Sequence, residues 1–124
     1  MKLALALFAL MLAIAGVSFF AWRAAPVPAP CVNRDVSSST APDDKSLAEV
    51  FTQQCGEHVA THVSLRPAGS AVPMRSDVII FADTPPVALL WNDEHELVVQ
   101  SPAERVLVEE SGWRNVRVQL RRVR

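Results

Sequence analysis

Glycine, cysteine and aromatic residues are scarce in this chain, and the scarcity limits its possible chemistry. Its 124 residues include four glycines, two cysteines and no tyrosine. Gly56 and Gly69 stand alone, so no glycine-rich loop could hold a phosphate group. No C-x-x-C motif occurs, and no Ser-His-Asp or Cys-His arrangement can be nominated. We therefore predict no enzyme activity, no catalytic residue and no cofactor.

The length excludes large folds. Residues 3–22 contain no charge, Asn, Gln, His or Pro. Without this block about 100 residues remain, enough for one small domain. A multidomain enzyme or a large nucleotide-binding fold is therefore excluded.

The apolar block predicts a transmembrane anchor helix over residues 1–23. Twenty helical residues rise about 30 Å, the thickness of the hydrocarbon core. Lys2 and Arg23 bracket the block, and Trp22 suits the membrane interface. The alternative is a signal peptide whose cleavage secretes the protein, but Arg23 and the prolines near Ala29 make poor cleavage sites.

The two cysteines suggest where the remainder lies. Cys31 and Cys55 both follow the apolar block, and an even pair suits an oxidising compartment. We therefore expect a single-pass protein of the inner (cytoplasmic) membrane with its carboxy-terminal domain outside the cytoplasm. No basic residue adjoins either cysteine, which favours a structural disulfide over a redox pair.

The remainder divides into a spacer over 24–45 and a small β domain over 46–124. Alternating prolines in residues 24–30 favour an extended spacer, and residues 37–44 have the composition of a loop. Apolar residues then recur with period two, which predicts about six or seven short strands in one antiparallel sheet. The fold class is thus all-β after the anchor helix.

Two hairpins and one ambiguous segment complete this prediction. Residues 92–95 connect one hairpin, and residues 110–112 connect strands at 105–109 and 116–123. In the last strand alternate residues should be buried (Val116, Val118 and Leu120), and those between them should be exposed (Arg117, Gln119 and Arg121). Residues 46–54 fit a short helix as well as a strand.

Residues 31–120 contain a series of short motifs after the hydrophobic amino-terminal segment: Cys31 and Asn33, Ala41–Lys45, Val50–Phe51, Cys55–Gly56, His62–Leu65, Val78–Ile80 and Trp91. In these features the chain resembles a family of small bacterial envelope proteins of unknown function. This chain has Ala41 and Asp44 where the family pattern has Ser and Gly. The resemblance implies a strand for residues 46–54 and implies no activity.

Cys55, His58 and His62 form the most enzyme-like cluster. On a helix the two histidines would share a face and could bind zinc with Cys55. On a strand they would lie about 13 Å apart, too far to share one metal. We predict no metal site, and we keep as the alternative function a metal-dependent envelope enzyme that uses His58, His62 and an acidic residue.

The last residues are rich in arginine. Residues 112–124 contain no acidic residue and five arginines: Arg114, Arg117, Arg121, Arg122 and Arg124. They could contact an anionic wall polymer, lipid headgroups or an acidic protein, or they could balance the acidic middle of the domain. A nucleic-acid partner is not expected, because residues 31–124 contain ten basic and thirteen acidic residues. We predict an envelope protein, held in the membrane by residues 3–22, whose β domain acts in binding or structural contact.

Overall fold

A computed structural model describes residues 1–23, 30–71 and 74–124 of the chain. One helix, α1, comprises Lys2–Arg23, and its side chains are described for residues 2–18. Nine strands follow within the described residues: β1 Val32–Thr40, β2 Ser46–Cys55, β3 His58–Pro67, β4 Ser76–Ala82, β5 Ala88–Asp93, β6 Glu96–Ser101, β7 Val106–Glu109, β8 Gly112–Trp113 and β9 Val116–Arg122. The first part of the predicted spacer, residues 24–29, lies outside the described residues, as does the side chain of Trp22.

The prediction of a transmembrane helix over residues 1–23 is wrong. Among the described residues, no helix has both the length and the apolar character needed to cross a membrane. A helix needs about 20 consecutive apolar residues, which rise about 30 Å, to cross the hydrocarbon core.

The strands form two sheets rather than the single antiparallel sheet that we predicted. Sheet A has the order β1-β2-β3-β4-β7, and every neighbouring pair in it is antiparallel. Sheet B has the order β5-β6-β9-β8, and β6 and β9 run parallel. The hairpin predicted between residues 105–109 and 116–123 is therefore wrong, because β7 pairs with β4 and β9 pairs with β6.

The chain passes directly from sheet A to sheet B at Glu110 and Ser111. The Glu110 amide donates to Val78 O in sheet A at 2.7 Å. The Val118 amide donates to Ser111 O in sheet B at 2.9 Å. On the opposite side Trp91 Nε1 donates to Ser39 O at 3.1 Å, which joins β5 to β1. The two sheets are thus linked along both sides of a shared core.

The core lies between the sheets and is built from aliphatic residues and one phenylalanine. Sheet A contributes Val50, Val63, Leu65, Ile79 and Phe81, and sheet B contributes Leu97, Val99, Val116 and Val118. All of these side chains are less than 9% exposed. The alternation predicted for β9 is confirmed at Val116 and Val118, which are buried, and at the exposed residues between and after them. Leu120, which we also expected to be buried, packs against the core but is only half-buried.

The β domain begins earlier than the predicted boundary at residue 46. Residues 32–40, which we assigned to the spacer, pair with β2 along its whole length. Residues 46–54 are a strand, as the family resemblance implied, and not a helix. The turn before β2 is tight, because the Asp44 amide donates to Ala41 O at 2.9 Å. Asp44 adopts a φ of 59°, a conformation that favours glycine, and the family pattern has glycine at this position.

Candidate functional site

All five arginines of residues 112–124 are exposed. Arg117 makes an ion pair, with Nη2 at 3.1 Å from Glu96 Oε2, and its side chain is still 77% exposed. Arg114 has its guanidinium carbon 4.7 Å from the centroid of the Trp113 ring. Within the part of the chain that the structure describes, Arg121, Arg122 and Arg124 form no ion pair. We call these five residues the arginine segment.

The alternation of β9 divides the arginine segment between surfaces. Arg117 and Arg121 pair with Glu96 and Gln100 of the parallel strand β6, so they lie on the face of sheet B that points away from the core. Arg122 pairs with Ser101 at the end of the strand. The structure therefore brings Arg117 and Arg121 to one face at a separation of about 13 Å, with Gln119 between them.

The acidic turn between β5 and β6 satisfies its own polar groups. Asp93 Oδ1 accepts a hydrogen bond from the His95 amide at 2.7 Å. Glu96 Oε1 accepts one from Asn92 Nδ2 at 3.0 Å, and its other oxygen pairs with Arg117. Across the described ranges, no group of three His, Cys, Asp or Glu residues is arranged to hold a metal ion.

His58 and His62 do not form a joint site. Both lie on β3, four residues apart, so their Cα atoms are separated by about 13 Å. His58 is exposed at the start of the strand, whereas His62 is 7% exposed. Cys55 is bonded to Cys31 and cannot act as a thiolate ligand. The three residues that could have bound zinc on a helix are thus separated by the strand and by the disulfide.

The predicted disulfide between Cys31 and Cys55 is confirmed. It joins the residue before β1 to the last residue of β2, at a sequence separation of 24. Closing a loop of this size stabilises a protein by about 3.5 kcal/mol in the chain-entropy model. That contribution is large for a domain of this size.

A cluster of partly buried polar residues, which sequence reasoning missed, lies on the outer face of sheet A. Ser64 Oγ donates to Asp77 Oδ1 at 2.6 Å, and His62 Nδ1 lies 3.2 Å from Asp77 Oδ2. The His62 ring stacks on Phe51, its cross-strand partner, with ring centroids 4.9 Å apart. The guanidinium of Arg75 covers the Phe51 ring at 4.0 Å from its centroid.

A bulge in β4 places Asp77 in this cluster. Val63 pairs with Ile79 and Ser64 pairs with Asp77, so Val78 is the extra residue. Without the bulge Asp77 would pair with Leu65 and point into the core, since facing residues share one side of a sheet. The apolar run of residues 78–81 gave no signal of the bulge.

The same outer face contains an ion-pair network. Arg66 Nε and Nη2 both donate to Glu49 Oε1, at 3.1 and 2.9 Å. Arg66 Nη1 also donates to Ser70 O. Arg75 Nη1 lies 3.8 Å from Glu49 Oε2, a buried oxygen that accepts no hydrogen bond within the described residues. These pairs hold the segment after β3 against the sheet.

This arrangement differs from a catalytic triad. In a triad the histidine stands between the serine and the carboxylate and removes the serine proton. Here Asp77 stands between Ser64 and His62, and the Ser64 hydroxyl donates to the carboxylate. Ser64 is also 0% exposed, so no substrate reaches it. The cluster therefore orders the sheet surface and the segment that covers it.

A cleft of about 390 Å³ lies beside the disulfide at the end of sheet A. Its polar walls come from Gln53, Glu57, His58, Asp83 and Arg105. These side chains include both acidic and basic groups, so the cleft has no single charge preference. It contains His58 but not His62, which again separates the two histidines.

Comparison of the chain with protein-family models, with curated proteins and with solved structures found no match.

Proposed function

We propose that the β domain is a binding module that works outside the cytoplasm and contacts an anionic partner through its arginine segment. The observation that carries the proposal is the exposure of all five arginines, of which only Arg117 forms an ion pair within the described residues. If these arginines served only to balance the acidic middle of the domain, more of them would pair with its carboxylates. Unpaired cations on and beside β9 instead offer their charge to another molecule.

The disulfide supports a place outside the cytoplasm. Cys31 and Cys55 are bonded to each other, and no free cysteine remains in the chain. Disulfides persist in oxidising compartments and are rare where thioredoxin and glutathione keep thiols reduced.

A binding role also suits the surfaces that the fold presents. On the outer face of sheet A the Ser64 hydroxyl is hydrogen-bonded to Asp77, and Ser64 is inaccessible. The arginine segment, by contrast, projects from a strand whose other side is anchored in the core through Val116 and Val118. Because the backbone of this strand is already ordered, binding through its charged side chains costs little backbone entropy.

Titration of the full chain with dextran sulfate, a polyanion, tests the proposal. The double variant Arg121→Gln/Arg122→Gln should bind about tenfold or more weakly, because an arginine near an anionic surface contributes about 1 kcal/mol. Binding by the wild type should weaken between 0.1 and 1 M salt, as the Debye length falls from about 10 to about 3 Å.

The matched control is Arg34→Gln/Arg105→Gln, which removes two exposed arginines outside the arginine segment. This variant should retain more than half of the wild-type affinity. An equal loss of affinity in both double variants would show that only the net charge of the protein matters, and it would refute a site on β9. Unchanged binding in the Arg121/Arg122 variant would refute it as well.

A further inference from the structure

An open, largely apolar surface cavity of about 350 Å³ lies beside the end of β9. Its volume falls within the range of about 300–1,000 Å³ that is usual for small-molecule sites. Five apolar residues and two polar ones form its walls: Pro86, Val87, Ala88, Pro102 and Val123, with Gln100 and Arg124. Three other clefts of the described surface contain acidic side chains, and this one contains none.

Two arginines border this cavity. Arg124 lines it directly. Arg121 pairs with Gln100, which in turn pairs with Ala88, so the three residues form one row on the outer face of sheet B. Neither arginine forms an ion pair within the described residues. The cavity therefore has a mainly apolar wall with two arginines at its edge.

We infer that this cavity binds a single-chain amphiphile with an anionic head group, namely a medium-chain fatty carboxylate. The carboxylate lies at Arg121 and Arg124, and the chain packs against Val87 and Val123. This inference rests on the proposed function and names the class of ligand that the arginine segment takes. A wholly polar polyanion would leave the apolar wall in contact with water, and a neutral chain would leave the arginines without a partner.

The chemistry predicts a dependence on chain length. Each methylene that leaves water tightens binding about fourfold. Decanoate should therefore bind about 15-fold more tightly than octanoate, if both added methylenes enter the cavity. Decanol, which has the chain without the charge, should bind more weakly than decanoate.

The experiment is a calorimetric titration of the full chain with octanoate, decanoate and decanol, below the concentrations at which they form micelles. Val123→Asn should abolish the difference between octanoate and decanoate. Arg124→Gln should weaken decanoate several-fold and leave decanol unchanged. The matched controls are Leu107→Asn and Arg105→Gln, an exposed apolar residue and an exposed arginine that do not line the cavity.

Two results would overturn the inference. One is a chain-length dependence that persists in Val123→Asn, because the chain would then bind elsewhere, such as on α1. The other is equal affinity for decanoate and decanol in the wild type. Dextran sulfate binding by the same protein separates the two proposals: if it is retained while decanoate fails these criteria, only the amphiphile site is refuted. Loss of both refutes the anionic-partner function itself.

Discussion

Loss of the Cys31–Cys55 disulfide should destabilise the β domain more than any surface change. The bridge closes a loop between residues 24 positions apart. The chain-entropy model gives about 3.5 kcal/mol for this loop, because the unfolded chain loses conformations when its ends are tied. Each kcal/mol shifts the melting midpoint of a domain of 60–100 residues by about 4–8 °C. The variant Cys31→Ser should therefore melt about 14–28 °C below the wild type.

The loss of stability can be assigned to the disulfide itself, because one of the two strands that it joins adds little to the core. β1 is an edge strand whose residues are almost all exposed, so it contributes little to the core. The assay is urea unfolding of the full chain, followed by tryptophan fluorescence, with and without a reducing agent. Cys31→Ser, Cys55→Ser and the double variant should agree with one another and with the reduced wild type. A loss below about 1 kcal/mol in the variants, or labelling of two thiols in the unreduced denatured wild type, would refute the reasoning.

Two further substitutions test the packing of sheet B. Leu97→Ala should lower the free energy of unfolding by about 2–5 kcal/mol in the same urea assay, because Leu97 is 0% exposed. The control Leu107→Ala, at a side chain 56% exposed, should lower it by less than about 0.5 kcal/mol. Similar losses in the two variants would contradict the assigned core. Trp91→Phe should cost about 1–3 kcal/mol, because Ser39 O loses the indole donor that joins β5 to β1. Unchanged stability in Trp91→Phe would show that this bond does not hold the sheets together.

The local pattern of the sequence determined which residues form strands and which way the last strand faces. Alternation along residues 116–121 predicted that Val116, Val118 and Leu120 are buried and that the residues between them are exposed. This is so except at Leu120, which is half-buried near the end of the strand. The period of two is sufficient for this, because side chains of a strand alternate between two faces whatever its partner is. The number and position of the cysteines likewise predicted the disulfide before any geometry was known.

The sequence did not determine which strands pair. We expected β9 to return against β7 as a hairpin, and it instead lies parallel to β6. Backbone hydrogen bonds are the same for every residue type, so local pattern carries little information on the partner of a strand. Glu110 and Ser111 make backbone hydrogen bonds to different sheets, which separates β9 from β7. These hydrogen bonds depend on where both sheets lie in the fold.

The surface sites depended on tertiary structure for the same reason. Asp77 reaches Ser64 and His62 only because of the bulge at Val78, which the apolar run of β4 does not disclose. The cavity beside β9 is assembled from segments around Pro86, Gln100 and Val123, which are distant in sequence. Sequence alone identified the arginines, because charge is a property of each residue. Only the packing of three strands placed two of them beside an apolar wall.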